Sequence, residues 1–112
     1  MIAAIVANGD LGEVKKIRTL LPAFDFVVCC DGGLRHLEKL DLKPDVIVGD
    51  FDSVDPSLLD DYYTQGISIK TYPAEKDKTD TELAAQTVIE AGADKVIILG
   101  GIGSRWDHSY AN

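Results

Sequence analysis

Uninterrupted apolar stretches are short in this chain: runs such as Ile2 to Ala7 and Val96 to Leu99 fall far below the ~20 residues that a membrane-crossing helix requires. Cysteine is scarce as well. The only two, Cys29 and Cys30, are adjacent within an apolar run, a placement that suits buried small hydrophobes rather than a disulfide framework or a metal site. Basic residues are in deficit, 11 against 19 acids, and the resulting charge of -8 disfavours attraction to nucleic acid or to an anionic lipid surface. The first residues, Met-Ile-Ala-Ala-Ile-Val, carry neither the positive charge nor the cleavage site of a secretory signal, so a reducing, cytoplasmic setting is expected. Repeats, low-complexity segments and linkers are absent. Two common nucleotide fingerprints are also lacking: no GxxxxGK[ST] occurs, and the first apolar run is followed only by Gly9-x-x-Gly12 rather than by GxGxxG.

What the chain does have is ordinary globular composition, with 46% hydrophobic and 27% charged residues, and at 112 residues room for one core. Its acids are skewed: fourteen of the nineteen are Asp, the residue of caps, turns and hard-metal sites. Short β-branched runs at Ile2–Ala7, Phe26–Cys30, Asp45–Val48, Ile67–Thr71 and Lys95–Leu99 alternate with helical periodicity. Helices are expected over Glu13–Leu21, Leu34–Leu40, Leu58–Gln65 and from a Thr79/Glu82 capping box to a stop at Gly92. Nearly continuous apolar strands separated by helices specify an α/β fold. The expected form is a doubly wound, mostly parallel sheet in three layers, Rossmann-like but without GxGxxG. Beyond the fifth strand, Asp107 to Asn112 reads as the beginning of a helix, which suggests a truncated chain.

An open parallel sheet binds ligands outside the carboxyl ends of its strands. In this sequence those positions are Asn8-Gly9-Asp10, Asp31-Gly32-Gly33, Gly49-Asp50-Phe51-Asp52-Ser53, the run Glu75 to Asp80, and Gly100 to Arg105. Any single such loop can be a βα turn with a helix cap; five together point to a site. In GDFDS, an extended backbone would send Asp50 and Asp52 to one side and turn Phe51 toward the core. Two carboxylates brought together need a cation, and oxygen donors without His or Cys favour Mg²⁺. Asp52 or Ser53 capping the next helix is the alternative, although Asp55 and Pro56 can serve there instead.

The run EKDKTDTE is either a solvated charged face or a combined site. In the second reading Asp77 and Asp80 hold metal while Lys76 and Lys78 meet phosphate near a helix N-terminus. In GGIGSRWDH, glycines such as Gly101 let backbone amides approach an anion, and Arg105 can grip phosphate in bidentate fashion. Asp107 and His108 then either orient Arg105 or a nucleotide, or cap a helix. His36, next to Arg35, has no acidic partner at catalytic spacing and reads as a surface residue.

Taken in order, DGG at 31–33, GDFDS at 49–53, KDKTDTELA at 76–84 and GGIGSRWDH at 100–108 resemble the thiamine pyrophosphokinase family, over essentially the whole chain. The likeness is to the catalytic α/β half of that family, so residues 1–112 are expected to be an ATP-binding catalytic domain lacking a C-terminal thiamine-binding β domain. By that resemblance the activity is transfer of pyrophosphate from ATP to the hydroxyl of thiamine, giving thiamine diphosphate and AMP, by a homodimer. Mg²⁺ on Asp50 and Asp52, aided by Asp77 or Asp80, would align and neutralise the phosphates, with Asp52 and Asp80 nearest the chemistry. Lys78 and Arg105 neutralise the remaining phosphate charge, and Asp31 with Gly32 forms part of the nucleotide edge. Other readings are a pyrophosphokinase acting on a different hydroxymethyl acceptor such as a pterin, and a nucleotide-binding module without turnover. The 112 residues alone are expected to be inactive.

Overall fold

The run Ile-Ala-Ala-Ile-Val has no polar side chain on either of its alternating faces, and a strand can carry that pattern only where both faces are covered. It forms β1 (Ile2–Val6), in which Ala3, Ala4, Ile5 and Val6 are wholly buried. The computed structural model describes residues 1–9, 11, 15, 18–19, 23–52, 54–71, 80–100 and 107–110, with 80 and 107–110 described as backbone alone. Four further parallel strands follow: β2 (Phe26–Cys30), β3 (Val46–Gly49), β4 (Ser68–Thr71) and β5 (Lys95–Leu99). A sixth, β6 (Asp107–Tyr110), is antiparallel to β5. The sheet order is β4-β3-β2-β1-β5-β6.

The mostly parallel α/β sheet expected from the sequence is therefore present, with one correction at its edge. Residues 107–110 begin no helix. They pair with β5 in the register Ile98 with Asp107 and Ile97 with His108. The leading Asp resembles a helix cap locally, but the outer edge of β5 offers a row of backbone groups that a strand can satisfy and a helix cannot.

The pleat sorts the strand residues into two cores. Ala4, Val6, Cys29, Ile47, Ile97 and Leu99 pack with Leu34, Leu37 and Leu40 of α1 (Leu34–Leu40). Ala3, Ile5, Val28, Cys30, Val46 and Val48 pack with Ala84 and Val88. Each fully buried Ile, Leu or Val contributes on the order of 1.5–3 kcal/mol to folding. α1 ends where Asp41 turns into the left-handed region at φ 54° and Leu42 N–H reaches back to Leu37 O at 3.0 Å.

α2 (Pro56–Thr64) begins at Asp55, whose carboxylate accepts from Ser57 N–H, with Pro56 supplying a pre-set φ in the first turn. Ala84 and Val88 belong to α3 (Asp80–Glu90), which stops as expected at Gly92, φ 94°, with Ala93 N–H bonded to Val88 O at 3.1 Å. Of the predicted first helix, Lys15, Arg18 and Thr19 are helical, and the remainder lies outside the described residues, as does the Thr79 cap.

The strand order also locates the site. From β1 the chain steps outward through β2 and β3 to β4, then returns to β5 on the other side of β1. The reversal lies between β1 and β5, and the crevice at their carboxyl ends is where such folds take up ligands.

Candidate functional site

Building starts at Asp31, the first residue past β2. Its Oδ2 accepts the backbone N–H of Phe51 at 3.0 Å, so the loop leaving β2 fastens the loop leaving β3. Gly49 makes this approach possible. A Cβ there would stand 2.5 Å from Asp31 Cγ, closer than non-bonded carbons approach. Phe51 lies at φ 60°, a left-handed conformation that costs a bulky residue about 1–2 kcal/mol and is kept only where surroundings enforce it. Its half-buried ring packs on the core beside α1.

Residues 50–52 of the GDFDS segment consequently turn, which corrects the extended alternation expected from the sequence. Asp52 N–H donates to Asp50 Oδ1 at 3.2 Å, an Asx-type contact across Phe51. Asp50 is half-buried and Asp52 exposed. The Phe51 ring does face the core, as expected. Asp55, not Asp52, caps the next helix: its Oδ1 accepts from Ser57 N–H at 2.9 Å and from Ser57 Oγ–H at 2.8 Å, and these bonds hold its carboxyl below the usual range. Asp50 and Asp52 are thus released from capping duty.

The exit of β1 is gripped from both sides. Gly9 N–H donates to Gly100 O at 2.7 Å, and a Cβ on Gly100 would meet Ala7 O at 2.7 Å. On the opposite flank Gly33 lies so close that a Cβ would stand 2.4 Å from Val6 O, while a Cβ on Gly32 would meet the Asn8 side chain at 2.8 Å. α1 adds three bonds: Arg35 Nη2 donates to Asn8 O and, at 3.4 Å, to Asn8 Oδ1, and His36 Nε2 donates to Gly9 O at 2.7 Å. His36 is only 4% exposed, against the expectation of a surface residue. A signal for it existed. Positions 33, 36, 37 and 40 follow the i, i+3, i+4, i+7 pattern of one helical face, so His36 shares a stripe with Leu37 and Leu40.

The structure thus brings Asn8, Gly9, Asp31, Gly32, Asp50, Asp52 and Gly100 to the carboxyl edge of the sheet. The sequence named the Asn8-Gly9 loop without giving a residue in it a role, and it missed the two α1 side chains that hold it. Asp77, Lys78, Gly101 and Arg105 lie outside the described residues. Asp80 opens α3, and Asp107 and His108 stand in β6, each as backbone. Among the described residues no three His, Cys, Asp or Glu side chains gather as a metal site. Cys29 and Cys30 are free and buried, as expected. Burial, followed by the charges of Cys30 and Asp31, pushes the Cys29 thiol well above its ordinary range, so it is no nucleophile.

This arrangement has known counterparts. Residues 17–112 match the model of the thiamin pyrophosphokinase catalytic domain. The chain belongs to that family. A thiamine pyrophosphokinase of Bacillus subtilis (strain 168) is 29% identical over 108 residues, covering 96% of this chain and 50% of the relative. Thiamine pyrophosphokinase 3 of Oryza sativa subsp. japonica is 34% identical over 106 residues, covering 76% of this chain and 40% of that protein. Among solved structures, a thiamine pyrophosphokinase from Bacillus subtilis superposes with a TM-score of 0.68 at 27% identity, and one from Geobacillus thermodenitrificans with 0.67 at 29%. Each comparison takes in 94% of this chain and 49% of the solved one. The chain therefore spans about half the length of these relatives. No helix among the described residues is long and apolar enough to cross a membrane.

Proposed function

We propose that this chain is the nucleotide-binding, catalytic half of an enzyme that transfers pyrophosphate from ATP to the hydroxyl of thiamine, releasing AMP. The family match over residues 17–112 carries the reading. It is supported by acidic and glycine-rich loops gathered at the carboxyl ends of adjacent strands, where a parallel sheet receives nucleotides.

Asp31 Oδ2 and Asp50 Oδ1 each accept a backbone N–H, and the side-chain donors that the loop after β3 offers at Asp50 and Asp52 are carboxylate oxygens, which suit Mg²⁺. Asp50 and Asp52, with Asp77 and Asp80 as further candidates, would hold the ion. When bound, Mg²⁺ supplies positive charge that offsets the phosphates. The chain's own residues do the remainder. Asp31 fixes the GDFDS turn in place, so the carboxylates on it are positioned before substrate arrives. Lys78 and Arg105 are proposed to neutralise the phosphate oxygens, with Gly32, Gly101, Asp107 and His108 along the nucleotide edge. Selection of thiamine is assigned to the half of the relatives beyond the match, and the active unit to a cytoplasmic homodimer, as the family resemblance implies.

The test is AMP release, followed by mass detection of thiamine diphosphate, when residues 1–112 extended through the remaining length of the relatives are supplied with MgATP and thiamine. AMP formed only with a hydroxymethylpterin would move the acceptor, and nucleotide binding without AMP under any acceptor would reduce the chain to a sensor.

A further inference from the structure

The β1 exit stands at the strand-order reversal, between the Asp31-Gly32-Gly33 turn on one side and Gly100 on the other, yet its conformation is not fixed by strand pairing alone. The Asn8–Gly9 peptide is pinned at both ends: its carbonyl accepts from Arg35 Nη2 and its N–H donates to Gly100 O at 2.7 Å. Because a peptide is planar, those two bonds set its orientation. The next carbonyl, Gly9 O, is held by His36 Nε2 at 2.7 Å. A carbonyl oxygen only accepts, so Nε2 carries a proton and is the donor. Nδ1 is buried and has no hydrogen-bond partner among the described residues. A Leu would fill this position on the 33/36/37/40 stripe without leaving a buried polar atom unpaired, as the ring does. Its one bond, to Gly9 O, is what the imidazole adds.

We infer that His36, assisted by Arg35, is a positioning residue for the nucleotide: from α1 it locks Asn8–Gly9 so that the exposed Asn8 side chain, seated over Gly32, forms one wall of the ATP site. The inference rests on the functional reading above. The clamp does not touch substrate. It keeps two carbonyls turned onto α1 and so away from an incoming polyphosphate, whose charge they would repel.

Three variants test it. His36→Leu removes the donor, His36→Gln keeps an amide donor near the place of Nε2, and Leu40→Ala loosens the same helix without touching the loop. Titration calorimetry with MgATP, well below each melting temperature, should show His36→Leu binding about tenfold more weakly, roughly the value of one such hydrogen bond. His36→Gln should recover to within about threefold of the parent and Leu40→Ala should bind like the parent. Equal binding by His36→Leu and the parent overturns the inference, as does an equal loss in Leu40→Ala. Should His36→Leu fail to fold, long-range ¹H–¹⁵N correlation on the unaltered protein still decides: the Nε2–H tautomer is required, and an Nδ1–H ring overturns the clamp. A parent protein that shows the Nε2–H tautomer but binds no MgATP overturns the nucleotide reading instead.

Discussion

Gly33 and Asp50 shape the site for separate physical reasons. Gly33 is required by space. A methyl group there would press to 2.4 Å from Val6 O and 2.9 Å from Ala7 O, backbone atoms at the end of the central strand that cannot swing aside as a side chain can. Gly33→Ala should therefore destabilise by about 2–3 kcal/mol, read as a lower urea midpoint at constant slope. Asp50 presents the opposite case. Its Oδ1 accepts Asp52 N–H, a bond that the amide oxygen of Asn can accept equally well. Asp50→Asn should thus leave the melting temperature within a degree or two while abolishing Mg²⁺-dependent ATP affinity and turnover. A variant that melts much earlier yet still binds MgATP would make Asp50 a turn residue only. The glycines and aspartates were legible in the sequence, because loops after parallel strands are where both matter. His36 was legible only in part: its place on the stripe with Leu37 and Leu40 foretells burial, whereas its bond to a carbonyl 27 residues earlier in the chain leaves no mark in the sequence.

At the scale of elements, α2 is the helix that packing supports least. None of its residues is buried, Tyr63 stands out in solvent, and the start rests on the Asp55 cap and Pro56. Its stability should accordingly follow Asp55. The Ser57 N–H and hydroxyl bonds hold that carboxyl below its unfolded value, so the cap's contribution is present above about pH 4 and fades as acid protonates the group. Asp55→Ala should lower the melting temperature at pH 7 by a few degrees, and the difference from the parent should shrink toward pH 3. Asp55→Asn keeps a capping oxygen and should lose the pH dependence. Circular dichroism melts across pH 3 to 7 check both. The strands at Ile2, Phe26, Asp45, Ile67 and Lys95 could be read in advance because β-branched continuity survives any tertiary context. Helical periodicity likewise gave α1 at Leu34–Leu40 and the stop of α3 at Gly92. β6 could not, since Asp-His-Ser-Tyr has no strand alternation of its own and becomes a strand only because β5 offers an edge. The turn at GDFDS was hidden for a related reason: nothing local demands φ 60° at a phenylalanine, and the bond from Asp31 twenty residues earlier imposes it.

For the molecule as a whole, the sheet divides the work in a way that bears on what 112 residues can do. Strand order places β1 at the centre with every residue after the first fully buried, and the loops at its carboxyl end are fixed by contacts to both neighbours. On the functional reading above, holding a nucleotide is the half of the problem that falls to these loops. The chain spans about half of the thiamine pyrophosphokinases it matches, and a cationic aromatic heterocycle such as thiamine would need an enclosing pocket with aromatic walls. The described residues supply no such enclosure near Asp50, where the aromatic at hand, Phe51, is turned into the core. On the functional reading above, residues 1–112 should bind MgATP and release no AMP when thiamine is added. A chain extended through the remaining length of the relatives should release AMP with thiamine in a one-to-one ratio. Raising MgATP should not substitute for the extension, because the missing term is the acceptor's position rather than the donor's occupancy. Calorimetry with MgATP and with thiamine, run beside an AMP-release assay on both chains, decides the matter: thiamine-dependent AMP from residues 1–112 alone would put the acceptor site on this sheet.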